Sequence, residues 1–240
     1  MCYHARVMAD RLIPRISSAF WTVAGDPDLG DITNPIQQPV DFAVWQAADG
    51  TWQLWSCIRG TDCGGMTRLL HRWEGSELTD SDWIPKGVAM QADPDLGETP
   101  GGLQTPHVVR HEGRYIMFYG DWENICLATS PDGKVFVRRL TDSGTTGMFT
   151  EGPGNNTRDP MAILIDGVWH CYYTAFPEQK GAVYCSPDPM DFGIEDDRYL
   201  LGKLPIAAPE IVGHEGKWYV ACLLPSLKGI RIARIEWAAL

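Results

Sequence analysis

At 240 residues, 44% of them hydrophobic and 10% aromatic, the chain can bury a substantial core and is most simply a single domain over 1–240. Its 25 glycines and 17 prolines mark a turn-rich, all-β composition. A net charge of −11 with no basic cluster argues against nucleic-acid binding, and no stretch approaches the roughly 18 apolar residues of a membrane span.

The N-terminal stretch MCYHARVMADRLIPRISSAFW has no continuous apolar core, so it does not read as a signal peptide. The chain therefore reads as cytoplasmic, or as secreted or periplasmic if a leader has been removed. Residues 1–15 read as a poorly structured extension. The seven cysteines are odd in number and form no CxxC spacing, which argues against both a disulfide framework and zinc ligation. They read as small buried hydrophobes in strands, with Cys171 and Cys185 the two that a hairpin would set opposite each other.

Four related segments then follow along the chain. They are Pro39 to Ser56, Thr105 to Gly120, Arg158 to Thr174 and Ala208 to Leu223. Each reads as an apolar strand, a turn on glycine and an aromatic-rich strand. The turn glycines, Gly50, Gly113, Gly167 and Gly216, lie 63, 54 and 49 residues apart, the length of a four-stranded propeller blade. The heads of the four segments carry Asp41, His107, Asp159 and Glu210. A repeat that keeps its scaffold and varies its polar tip describes blades around a shared site.

A second hairpin follows the first in two blades. Ile125 to Arg139 carries strands on either side of Pro131-Asp132-Gly133, and Gly181 to Gly193 repeats it more loosely. In the first blade TRLLHRWEG and DWIPKG flank a longer loop, and in the last Gly229 to Ala238 supplies a third strand. The segment DPDLG occurs at Asp26 and again at Asp93, each time leading into a repeat, so the two copies read as equivalent connectors. The stretch SAFWTVAG before the first copy then reads as an outermost strand. The expected fold is a β-propeller of four blades, with five as the alternative. The N-terminal strand would close the ring by joining the C-terminal blade, which leaves no open edge.

The Arg158-Asp159-Pro160 blade opening, the SPDG hairpin, the xDGxW turns and the chain order Asp, Asp, Glu resemble glycoside hydrolase family 43 and its relatives in families 32 and 62. The resemblance covers residues 16 to 238, although those families have five blades and this chain shows four. It implies hydrolysis of a glycoside, with inversion, at arabinose- or xylose-type sugars. Asp41 would be the general base, Asp159 the residue that orients and tunes the acid, and Glu210 the general acid. Inversion needs two carboxyls about 6.5–9.5 Å apart with a water between them. Counted from the turn glycine, Asp159 lies eight residues back and Glu210 and His107 six, a difference of two that keeps all three on one strand face.

His107, Arg158, Trp122 and Asn156 are the candidate sugar-binding residues, and Glu151 in EGP is a rival acid. No metal site and no required cofactor are expected, although a Ca2+ or other ion in the channel is compatible with the resemblance. The expected partner is a carbohydrate. A ring one blade short also admits a dimer. The alternative to an enzyme is a carbohydrate-binding or vestigial propeller that keeps the pocket without the acid.

Overall fold

A computed structural model describes residues 20–176, 180–186, 188–190, 192, 200–204, 207–214, 216–223 and 230–236. The expected N-terminal extension, 1–15, lies outside them. Among the described residues sixteen strands make up the fold. The first sheet holds β1 (Gln38–Gln46), β2 (Trp52–Arg59), β3 (Leu69–Gly75) and β4 (Ile84–Met90) in that order. The second holds β5 (Gln104–His111), β6 (Arg114–Gly120), β7 (Asn124–Ser130) and β8 (Val137–Arg138), with β9 (Gly147–Thr150) also paired to β7. The third holds β10 (Asn156–Ile165), β11 (Val168–Phe176), β12 (Lys180–Ser186) and β13 (Leu200–Leu204). The last holds β14 (Ala207–His214), β15 (Lys217–Leu223) and β16 (Ile230–Ile235). The paired strands are antiparallel throughout.

The four repeats thus become four sheets, each beginning with a hairpin turned at its glycine. Gly50, Gly113, Gly167 and Gly216 all have φ between 70° and 88°, a region in which a side chain would be strained. The second hairpins also form where expected, with two differences. The outer strand of the third sheet is Leu200–Leu204, past the segment that ends at Gly193, and the second sheet gains β9 from its connector. Neither short strand has an alternating apolar pattern strong enough to announce it.

Neighbouring sheets pack face to face in chain order. Trp45, Trp55 and Leu70 of the first meet Tyr115, Met117 and Tyr119 of the second. Phe118 and Leu127 of the second meet Trp169, Cys171 and Tyr173 of the third. Met161 and Tyr172 of the third meet Ile211 and Val220 of the last. The first strands lie side by side, β1 by β5, β5 by β10 and β10 by β14, so their heads gather at one end.

The N-terminal segment behaves differently from the expectation. Asp82 N donates to Thr22 O at 3.0 Å and Trp83 N to Val23 O at 2.8 Å, and Val23 and Ala24 pack on Leu54, Trp73 and Trp83. Residues 20–25 therefore cover the first sheet. Among the described residues β16 pairs with β15 alone, and the expected closing strand is not beside it. On the first sheet Val23 and Ala24 cover apolar surface of Leu54, Trp73 and Trp83 that would otherwise face water. Cys171 stands opposite Tyr184, and Cys185 opposite His170, so the two cysteines are one residue out of register and Cys171 is a free thiol.

Candidate active site

Each first strand is broken at the same place. The pairing register slips between Val40 and Phe42, between Gln104 and His107, between Arg158 and Met161, and between Ala207 and Glu210. The extra residue in each bulge has a positive φ: Asp41 (33°), Thr105 (46°), Asp159 (58°) and Ala208 (46°). A left-handed φ is uncommon away from glycine and is an outlier for a β-branched threonine. Four occurrences at equivalent positions make it a property of the repeat. Bulges of this kind re-aim a side chain, and they concentrate next to active sites. Pro106, Pro160 and Pro209 follow three of the four, where no ladder hydrogen bond is lost to the missing N–H.

The structural heads are therefore Asp41, Thr105, Asp159 and Ala208. Counting from the turn glycine already sets His107 and Glu210 two residues past Asp159, and the pairing puts them level with Met161, on the ladder beyond the bulge. Counting back from the proline aligns Thr105 and Ala208 with Asp159, and that signal was present in the sequence.

Asp41 and Asp159 come together. Thr105 Oγ1 donates to Asp159 Oδ1 at 3.1 Å, and Arg158 Nε lies 3.4 Å from Asp159 Oδ2. Asp41 opens to solvent on one side and is walled by protein on the others. Burial raises its pKa first and the Asp159 charge second, against the opposing pull of Arg68, Thr105 and Arg158. The wall continues through Arg68, whose Nη1 donates to Gln104 Oε1 at 2.7 Å, and Gln104 Nε2 donates to Asn156 Oδ1 at 2.6 Å. The Arg68 guanidinium sits 5.0 Å over the Trp122 ring, a cation–π contact that fixes both groups. Asp41, Asp159, Arg158, Trp122 and Asn156 thus stand in one place. Arg68, Gln104 and Thr105 join them, and of these only Thr105 is marked by the repeat.

The other candidates stand elsewhere. His107 Nε2 is 3.1 Å from the backbone oxygen of Ala162, and burial lowers its pKa, so a neutral imidazole fastens the second sheet to the third. Met161, at the same level of β10, packs into the seam between the third and last sheets. Glu210 holds that level on β14, where no fifth sheet follows among the described residues. Its carboxyl is exposed on one side, and burial alone raises its pKa, with no contribution from Asp41 or Asp159. Glu151 accepts a hydrogen bond from Tyr173 Oη in the connector ahead of β10. Among the described residues no group of three or more His, Cys, Asp or Glu is placed to hold a metal ion.

No protein-family model and no curated protein sequence matches the chain. Solved structures match by shape. A family 117 glycoside hydrolase, Zg3597, from the marine bacterium Zobellia galactanivorans is 14% identical with a TM-score of 0.62, over 90% of this chain and 71% of that one. The α-L-arabinanase of Cellvibrio cellulosa, solved with arabinohexaose, is 13% identical with a TM-score of 0.57, over 82% of this chain and 73% of that one. A thermostable family-43 glycoside hydrolase is 20% identical with a TM-score of 0.57, over 80% and 67%. The chain therefore has the β-propeller fold of the family-43-like glycoside hydrolases, and its match spans about two thirds to three quarters of each of these relatives' length.

Proposed function

We propose that this protein hydrolyses glycosides, with Asp41 and Asp159 as its reacting carboxyls. The observation that carries the reading is their convergence at matched left-handed bulges of two different sheets, walled by Arg68, Arg158 and Trp122. Hydrolysis breaks the bond between the anomeric carbon and the leaving oxygen. That oxygen takes a proton from a carboxylic acid, water attacks the anomeric carbon, and the second carboxyl takes the water's proton. The proposed course is inversion, and the proposed substrates are arabinose- or xylose-type sugars, in keeping with the arabinanase likeness. Trp122 would stack on a sugar face, and Asn156 and Arg158 would bond hydroxyls.

Asp159→Asn is expected to abolish turnover of arabinosides and xylosides while leaving folding intact, and unchanged activity would remove Asp159 from the reaction. Glu210→Gln is expected to retain turnover. Its loss in that variant would return the proton-donor role to Glu210.

Ala208 at the fourth head favours a second reading, a propeller that binds carbohydrate without cleaving it. In that case arabino- and xylo-oligosaccharides raise the melting temperature and no products form.

A further inference from the structure

The proposed reaction leaves Arg68 without a task, although several residues hold it in place. Its side chain is partly buried. Nη1 donates to Gln104 Oε1 at 2.7 Å, and the guanidinium lies 5.0 Å over the Trp122 ring. Both holders are themselves fixed. Gln104 is fully buried and bonds Asn156. Trp122 keeps φ 89° in a turn that the buried Asp121 carboxyl closes, accepting from Glu123 N at 3.0 Å and Asn124 N at 2.6 Å. A residue other than glycine keeps such a φ only where its surroundings over-determine it. Thr157 N also donates to Trp122 O at 2.9 Å. Yet among the described residues Arg68 makes no ion pair, and its side chain, with five N–H donors, meets one acceptor.

A guanidinium fixed in advance, with its fork unfilled, is a receptor for an anion. Its parallel N–H groups match the two oxygens of a planar carboxylate, and such a charge-assisted pair is about twice as strong as a bond to a neutral hydroxyl. The need for a cation is local. The chain carries a net charge of −11, which repels an anionic ligand, and two carboxyls already stand in the pocket. Arg158 lies 3.4 Å from Asp159 and answers that charge. The charge of Arg68 reaches Asp41, so Arg68 belongs to the same pocket. We propose that the sugar taken here is a uronic acid, and that Arg68 decides this specificity by pairing with the carboxylate on the sugar ring. The rings suit the sugars proposed above. D-glucuronate is the D-xylose ring with a carboxylate added at its fifth carbon, and D-galacturonate is the L-arabinose ring with the same addition. The inference rests on the reading of the site as a glycoside pocket and narrows its substrate.

The test is a set of equilibrium titrations of the whole protein, followed by ligand-observed NMR. D-glucuronate is compared with D-xylose, and D-galacturonate with L-arabinose. Each uronate is expected to bind about tenfold more tightly than its pentose, the difference between a charged and a neutral acceptor at one guanidinium. Arg68→Met keeps an unbranched stem beside Trp122 and removes the fork. It should bring each uronate level with its pentose. Equal or weaker binding of the uronates by the unaltered protein overturns the inference before any variant is made. A preference that survives in folded Arg68→Met also overturns it, and so does binding of neither kind of sugar. The titration reads no turnover, so the two readings fail separately. Uronates preferred by a protein that cleaves no glycoside, glucuronides and galacturonides included, sinks hydrolysis alone. Turnover of xylosides or arabinosides with no preference for uronates sinks the role of Arg68 alone.

Discussion

Asp41 is held in a position that costs stability. Its folded-state pKa is raised, so the folded chain binds this proton more tightly than the unfolded chain does. Stability therefore falls as pH rises from the ordinary carboxylate range through the raised value. Asp41→Asn removes that cost and is expected to raise the melting temperature at neutral pH. The gain should shrink at acid pH, where the native carboxyl is protonated in both states. The same variant should lose turnover, the usual exchange between stability and function at a strained site. A melting temperature unchanged at neutral pH would mean that solvent on the open side of Asp41 screens it fully.

At the scale of elements, one turn ties two sheets together. The Ser130-Pro131-Asp132-Gly133 turn closes on itself, with Ser130 Oγ accepting from Gly133 N at 2.8 Å and Asp132 Oδ1 accepting from Lys134 N at 2.8 Å. Its outer side docks on the first sheet. Trp45 Nε1 donates to Gly133 O at 2.8 Å, and Arg72 Nη1 donates to Lys134 O at 3.0 Å. Gly133 has φ 79°, and a Cβ there would lie 3.0 Å from the Tyr115 ring. Gly133→Ala is therefore expected to destabilise by about 1–3 kcal/mol, read from the denaturant midpoint. The turn itself is legible in the residues SPDG. Its docking is not, because Trp45 and Gly133 are far apart in the chain and meet only once two sheets pack. The bulges show the same division. The prolines mark where they fall, but the left-handed backbone that turns Asp41, Thr105 and Asp159 toward one place comes from strand pairing.

At the scale of the whole molecule, the four sheets are held in order by cores between neighbours and by buried polar joints. Glu98 is the main such joint. It lies in the second DPDLG connector and is fully buried, accepting from Tyr119 Oη at 2.7 Å and from Asp93 N at 2.8 Å. Arg138 meets both of its carboxylate oxygens at 2.8 Å. Every oxygen of the carboxylate is satisfied, so removing one partner is costly. Glu98→Ala leaves a half-buried guanidinium and a buried hydroxyl without this partner, and is expected to cost about 3–5 kcal/mol in a global unfolding measurement. The two DPDLG copies look alike in sequence and each enters a short 3-10 turn, Gly30–Ile32 and Pro94–Leu96, but only the second carries this buried joint.

The sequence by itself determined the repeat, its hairpins and its turn glycines, because those features depend on local periodicity and on backbone conformations that glycine adopts without strain. It also determined Asp41 and Asp159 as candidates, since a charge at the head of an apolar strand needs a partner or a use. The tertiary structure alone decided the rest. It placed Ala208 at the fourth head and Glu210 two residues past it, because strand pairing decides which residue of the segment becomes the left-handed bulge. It laid residues 20–25 on the first sheet, where an apolar face was available to cover. It also set the Thr105 hydroxyl of the second sheet on the Asp159 carboxylate of the third, a contact that depends on how neighbouring blades pack.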